Sequence, residues 1–171
     1  MKKVHTGFTL VELMITLAVG IIILAAGIPA FTSMMTSNQA TATANEFIGA
    51  LRLARSEAVK RGDGVTVCAS TADHTACDDD HWENGWLVFT DPDNDRLYSV
   101  TDTLIRIWQA PEGGIVFNNA PTNGIRFLAS GALSGSVSDF DFKLAHCSGN
   151  QARTISISRM GRSEATRSAC F

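Results

Sequence analysis

Three groups of side chains in this 171-residue chain have types and spacings that can do chemistry. The first is one carboxylate, Glu12, at the start of an apolar run that ends at Phe31; the next charged residue is Glu46. A lone carboxylate in lipid costs roughly 3 kcal/mol on insertion scales, so Glu12 calls for a cationic partner. The second group is acidic. His74 and His81 flank Asp78-Asp79-Asp80, and such a cluster can hold a metal, although a solvated polar loop is the preferred reading. Asp91, Asp93 and Asp95 fall at positions 1, 3 and 5 of an EF-hand-like count, with Asp102 at position 12. Arg96 stands where that pattern needs glycine, so an acidic hairpin loop is preferred and no metal or other cofactor is expected. The third group is basic: residues 143–171 carry Lys143, Arg153, Arg159, Arg162 and Arg167 against Glu164 alone, five minus one, or +4. Arg159, Arg162 and Arg167 are candidate contacts to DNA phosphates; a solvated strand end or a subunit contact is the plainer alternative. No G-x-S-x-G, HExxH or glycine-rich phosphate loop is present, so no enzyme is expected.

The element that must carry Glu12 is a helix. Residues 8–29 would span about 33 Å as an α-helix, against roughly 30 Å for a bilayer's hydrocarbon core. The flanks differ from an ordinary secretory signal, whose cleavage site follows the apolar core. Here the natural break, Gly7 before Phe8, precedes the core, so cutting there leaves the helix on the mature chain. Lys2 and Lys3 place the short leader in the cytoplasm and the bulk of the chain beyond the inner membrane. Gly20, Ala25, Ala26 and Gly27 permit close helix–helix approach. Pro29 should kink or loosen the helix.

The whole chain has 14 Lys+Arg against 17 Asp+Glu, a net −3. Without Lys2 and Lys3 the count is 12 against 17, or −5, which argues against attraction of nucleic acid by the protein as a whole. Roughly 110 residues follow the helix, enough for a small core. All four cysteines lie there, and an even count in an exported domain reads as two disulfides. Of the three possible pairings the sequential one is favoured. Cys68 with Cys77 closes a short polar loop, and Cys147 with Cys170 pins the C-terminus. Zinc is the rival reading, but the spacings contain no CxxC.

From Gln39 the pattern turns amphipathic. Phe47, Leu51, Ala54 and Ala58 recur at helical spacing, and Glu57 precedes Arg61 by four. Gly62 is placed as the helix cap. Beyond Gly64 the period becomes two, predicting strands at 65–69, 86–90, 104–108, 115–118, 125–128, 140–145 and 154–159. The expected fold class is α+β, a long N-terminal helix, first transmembrane and then amphipathic, packed on antiparallel sheet. The expected divisions are a leader at 1–7, an assembly helix at 8–31, its amphipathic continuation at 32–62 and a β-rich domain at 63–171.

Gly7-Phe8-Thr9-Leu10-Val11-Glu12-Leu13 closely resembles the class III signal of type IV pilins and type II secretion pseudopilins. Two further stretches, Ala54-Arg55-Ser56-Glu57-Ala58 and the run from Trp82 through Gly85-Trp86 to Phe89 and Asp91, resemble the GspH/FimT/FimU type of minor pilin. The resemblance implies a type IV pilin fold and cleavage by a prepilin peptidase between Gly7 and Phe8, with methylation of the new Phe8 amine. It implies that Glu12 pairs with a neighbouring subunit's N-terminal amine during assembly. It implies a minor pilin of a type IV pilus, acting in filament initiation at or near the tip, with other pilins as partners. A minor pseudopilin of a type II secretion system is the alternative. Minor pilins of the FimT type used in DNA uptake carry a G-R-x-R motif; here Gly161-Arg162-Ser163 is followed by Glu164, a departure at the second arginine.

Overall fold

The computed structural model describes residues 7–137 and 139–171. The leader residues Lys2, Lys3 and His5 lie outside them. The chain divides into two compact units, one ending at Met35 and one spanning Thr36–Phe171.

Helix α1 runs over Leu10–Arg61. Thr9 caps it: its Oγ1 accepts a hydrogen bond from the Glu12 backbone N–H at 3.2 Å, the cap-to-N3 bond of a capping box. Glu12 lies in the first turn, where the helix dipole favours a negative charge. The helix continues through Pro29 without interruption, so the proline removes one main-chain bond, to the Ala25 carbonyl, and does not end the element. It stops at Gly62, whose φ of +70° is the left-handed cap conformation, with its N–H bonded to the Ala58 carbonyl at 2.9 Å.

Among the described residues, all the buried hydrophobic ones lie in the second unit, from Ala40 onward. There α1 buries Ala44, Phe47, Leu51, Ala54 and Ala58, spaced three or four apart as one helical face requires. Val59, beside that face, is 55 % exposed.

Among the described residues, nine strands form two antiparallel sheets: β1 (Val65–Ser70), β2 (Cys77–Asp78), β3 (Gly85–Thr90), β4 (Leu104–Gln109), β5 (Ile115–Asn118), β6 (Ile125–Phe127), β7 (Phe140–Leu144), β8 (Ala152–Ile157) and β9 (Ser163–Ser168). The first sheet has the order β2-β1-β3-β4. One edge of β1 pairs with β3, while its other edge is shared by β6 and β2. The second sheet has the order β5-β7-β8-β9. In β7, Phe140, Phe142 and Leu144 are buried and Asp141 and Lys143 half-buried, the alternation of a sheet covered on one face. Strand β1 is buried throughout, because its second face carries a small cluster of Cys68, Leu87 and Phe89.

Four elements depart from expectation. Strand β2 is two residues long, below what alternation can signal. Trp82–Asn84 forms a 3-10 turn. The segment after Arg159 forms β9, an exposed edge strand whose polar residues have no apolar face to betray it. Strand β8 also begins earlier than expected, at Ala152.

Candidate functional site: a helix for assembly and a charged surface on the globular unit

In the first unit every described side chain from residue 7 to Met35 is exposed except the half-buried Gly20. Phe8 is 80 % exposed and Ile22 69 %. Such apolar surface is satisfied by lipid or by other helices, and this helix is long and apolar enough to cross a membrane. A Cβ added at Gly20 or Gly27 would meet nothing within 4 Å, so the room these glycines leave faces outward. Glu12 is exposed on the same helix.

In the second unit, the sulfurs pair as Cys68 with Cys77 and Cys147 with Cys170. The first bridge joins β1 to β2. The second ties the segment after β9 to the turn after β7.

The acidic clusters are held by protein groups. His81 Nδ1 lies 2.9 Å from Asp78 Oδ1 and 3.1 Å from Asp80 Oδ1. The hydrogen bond to Asp78 raises the imidazole above its ordinary pKa and lowers that of Asp78. Asp91, Asp93 and Asp95 each bring a carboxylate oxygen within 4.8 Å of the others. Asp91, however, is fully buried, and its Oδ2 accepts hydrogen bonds from Thr66 Oγ1 at 2.6 Å and Arg126 Nε at 2.8 Å. A guanidinium therefore neutralises the carboxylate that stood first in the calcium count. The Trp82 and Trp86 rings are fully buried core and make no ligand platform.

The C-terminal cations separate. Arg153 is buried and donates to the Gln151 and Ala152 carbonyls, to the Ser37 carbonyl and to Thr41 Oγ1, clamping β8 to α1. Burial, with Arg167 beside it across the ladder, lowers its pKa. Lys143 lies over the Phe171 ring at 4.5 Å. Arg159 and Arg162 share the turn between β8 and β9 and are exposed, with Arg162 3.4 Å from Glu164. Arg167 lies about 16 Å further along β9, at roughly 3.3 Å per residue. Two of the three arginines thus sit in the turn and the third far along β9, and they do not converge on one point.

A different set converges. Arg52, Arg55, Val59 and Lys60 of α1 face Arg162 across a groove of about 550 Å³. Arg55 Nε donates to the Gly131 carbonyl at 3.0 Å, docking the loop before β7 on the helix. Gly161 completes the approach: its φ is +76°, and a Cβ there would lie 2.2 Å from the Gly131 oxygen. The helical spacing of Arg52, Arg55 and Lys60 off the core face was visible in sequence. Their meeting with a turn a hundred residues later was not, since nothing local in either segment encodes it.

Residues 43–161 match the family described as Type II transport protein GspH, and residues 2–28 match the prokaryotic N-terminal methylation motif. A search of curated protein sequences gave no match. Among solved structures the fold is similar to the type IV minor pilin FimU of Pseudomonas aeruginosa in two crystal forms. One has a TM-score of 0.54 at 21 % identity, covering 75 % of this chain and 89 % of FimU. The other has a TM-score of 0.53 at 22 % identity, covering 74 % and 91 %. Both likenesses concern fold. The family is one of structural subunits rather than enzymes. With the methylation motif, an apolar helix unburied in its own subunit and a two-sheet unit packed on its continuation, the chain belongs to the GspH family: it is a type IV pilin-like minor pilin or pseudopilin.

Proposed function

We propose that this chain is an assembly subunit of a type IV pilus, acting in filament initiation at or near the tip. The observation that carries the reading is the unpartnered apolar helix with Glu12 in its first turn. Before assembly, lipid covers the helix, and the globular unit lies on the periplasmic side of the inner membrane. A prepilin peptidase cuts between Gly7 and Phe8 and leaves a methylated amine on Phe8. In the filament, helices of neighbouring subunits replace lipid. Glu12 then sets the axial register by pairing with the neighbour's N-terminal ammonium, because either charge alone among apolar helices carries the desolvation cost of an isolated ion.

Glu12→Ala should leave the subunit in the membrane at ordinary abundance and remove it from sheared filaments. Quantitative immunoblotting of the membrane and filament fractions checks this. Incorporation at the level of the unaltered chain would end the proposal.

The description of the matched family favours a second reading, a pseudopilin of a type II secretion system. Deletion of the chain's gene distinguishes the two: loss of surface pili with secretion intact supports the pilus, and the reverse supports the secretion machine.

A further inference from the structure

The sequence contains two Asn-Gly pairs, Asn84-Gly85 and Asn123-Gly124. Such a pair can close on itself: the glycine nitrogen attacks the asparagine Cγ, and a residue without Cβ leaves that approach open. The fold treats the two pairs differently. Asn84 ends the 3-10 turn and is half-buried. The Gly85 N–H donates to the Trp82 carbonyl, and Gly85 begins β3, where it pairs with Gln109 of β4. A Cβ on Gly85 would lie 2.2 Å from the Trp108 carbonyl oxygen, so the main chain there is pressed against its neighbour. The nitrogen of this pair is held on an acceptor and its backbone is fixed in a ladder.

The second pair is loose. Asn123 is exposed in the turn that leads from Pro121 into β6. Among the described residues, neither its side-chain amide nor the Gly124 N–H has a hydrogen-bond partner within the chain. The glycine is nevertheless required by the fold. Its φ is +65°, and a Cβ there would lie 3.0 Å from the Val67 carbonyl oxygen. Close docking of β6 on β1 therefore places a glycine after Asn123 and leaves the nitrogen of that glycine unpaired.

We infer that Asn123 is a site of spontaneous deamidation in the folded chain, and that its conversion loosens β6 from β1. The electron pair of the Gly124 nitrogen forms a bond to Asn123 Cγ, and the Cγ–Nδ2 bond breaks. The proton of that N–H passes through water to the leaving nitrogen, which departs as ammonia and leaves a cyclic succinimide. Water then opens the ring. Addition at Cγ gives an aspartate at position 123. Addition at the main-chain carbonyl gives an isoaspartate, whose main chain runs through the side chain and is longer by one methylene. The net reaction consumes one water and releases one ammonia. Either product adds a carboxylate where Asp78, Asp79 and Asp95 already share a cleft with one cation, Arg96. The longer linkage enters directly before β6, where Gly124 meets Val67. Strand β6 is three residues long and carries Arg126, the partner of buried Asp91, so a shift there reaches the ion pair. The reaction draws on water alone and stands apart from the filament reading and its Glu12 test.

The test ages the full chain in detergent micelles in mildly alkaline buffer, beside a sample kept in denaturant. Peptide mapping by mass spectrometry follows both pairs, with electron-transfer fragmentation to tell aspartate from isoaspartate. In the folded chain Asn123 should convert at least about tenfold faster than Asn84, because the Gly85 N–H must first leave Trp82. In denaturant the two should convert at similar rates. A chain aged until Asn123 is mostly converted should melt about 3 °C lower than the fresh one. The variant Asn123→Gln, whose longer side chain closes a ring far more slowly, should begin at the same melting temperature and keep it. Retention of the Asn123 amide in the folded chain while the unfolded chain reacts would overturn the site, as would an Asn84 that converts equally fast in the fold. A converted chain that melts with the fresh one would overturn the effect on β6.

Discussion

Arg126→Met is expected to destabilise the globular unit by about 3–5 kcal/mol, the usual cost of removing one partner from a buried ion pair. Arg126 and Asp91 are 8 % and 0 % exposed, so solvent cannot replace the missing charge. The guanidinium makes two contacts with the same residue: Nε to Asp91 Oδ2 at 2.8 Å, and Nη2 to the Asp91 carbonyl at 2.9 Å. The second contact ties the end of β3 to β6, which otherwise meets the first sheet only through β1. Methionine fills similar space and removes both. The Asp91 carboxylate keeps only its bond from Thr66, and its Oδ1 is already buried without a hydrogen-bond partner. Thermal unfolding of the full chain in detergent, followed by near-ultraviolet circular dichroism, should show a fall of about 10 °C, from roughly 3 °C per kcal/mol for a unit of this size. The double variant with Asp91→Asn should recover part of the loss. A deficit below about 1 kcal/mol would mean that the carboxylate reaches water in solution.

Phe47→Ala is expected to cost about as much, roughly 3–5 kcal/mol, for a different reason. Phe47 is the ring at which the elements meet. Its centroid lies 5.4 Å from Trp82, 5.0 Å from Trp86 and 5.6 Å from Phe140, all edge-on, and 6.5 Å from Phe117. Trp86 belongs to the first sheet and Phe117 and Phe140 to the second, so one helical residue joins both sheets. Its removal leaves a void bordered by large, rigid rings that cannot collapse into it. Phe47→Leu keeps much of the volume and should lose less than half as much stability. Equal melting temperatures for the alanine variant and the unaltered chain would contradict this account of the core.

How far each feature was legible follows from the range of the interaction behind it. The Thr9 cap and the stop at Gly62 rest on contacts within four residues, and the Gly62 stop, like the apolar run, was legible in the sequence. Strands β5 and β7 follow the alternation Phe140–Phe142–Leu144 and the Ile115 run, and their expected and observed limits differ by no more than one residue. Strand β9 was hidden because Glu164, Ala165, Thr166 and Arg167 are exposed, so no face of it repels water. Arg153 was counted with the C-terminal cations and Arg126 carried no signal of its own, since arginine is rarely buried without a partner. Their partners, Asp91, Ser37 and Thr41, lie 35 to 116 residues away.

Two levels of determination remain distinct. By itself the sequence determined the class of subunit: an apolar helix with one carboxylate, a cleavage-site motif ahead of it and a β-rich domain with two cysteine pairs. The helix and the strands depend on composition and periodicity, which burial acts on residue by residue, and the class of subunit rests on the motif's resemblance to the family's. Tertiary structure alone decided which charges are free. It buried Arg126 against Asp91 and Arg153 against α1, left Arg159 and Arg162 in a turn with Arg167 far along β9, and brought Arg52, Arg55 and Lys60 to Arg162. A charge's availability depends on what the fold sets beside it, and those neighbours come from segments that no local pattern connects.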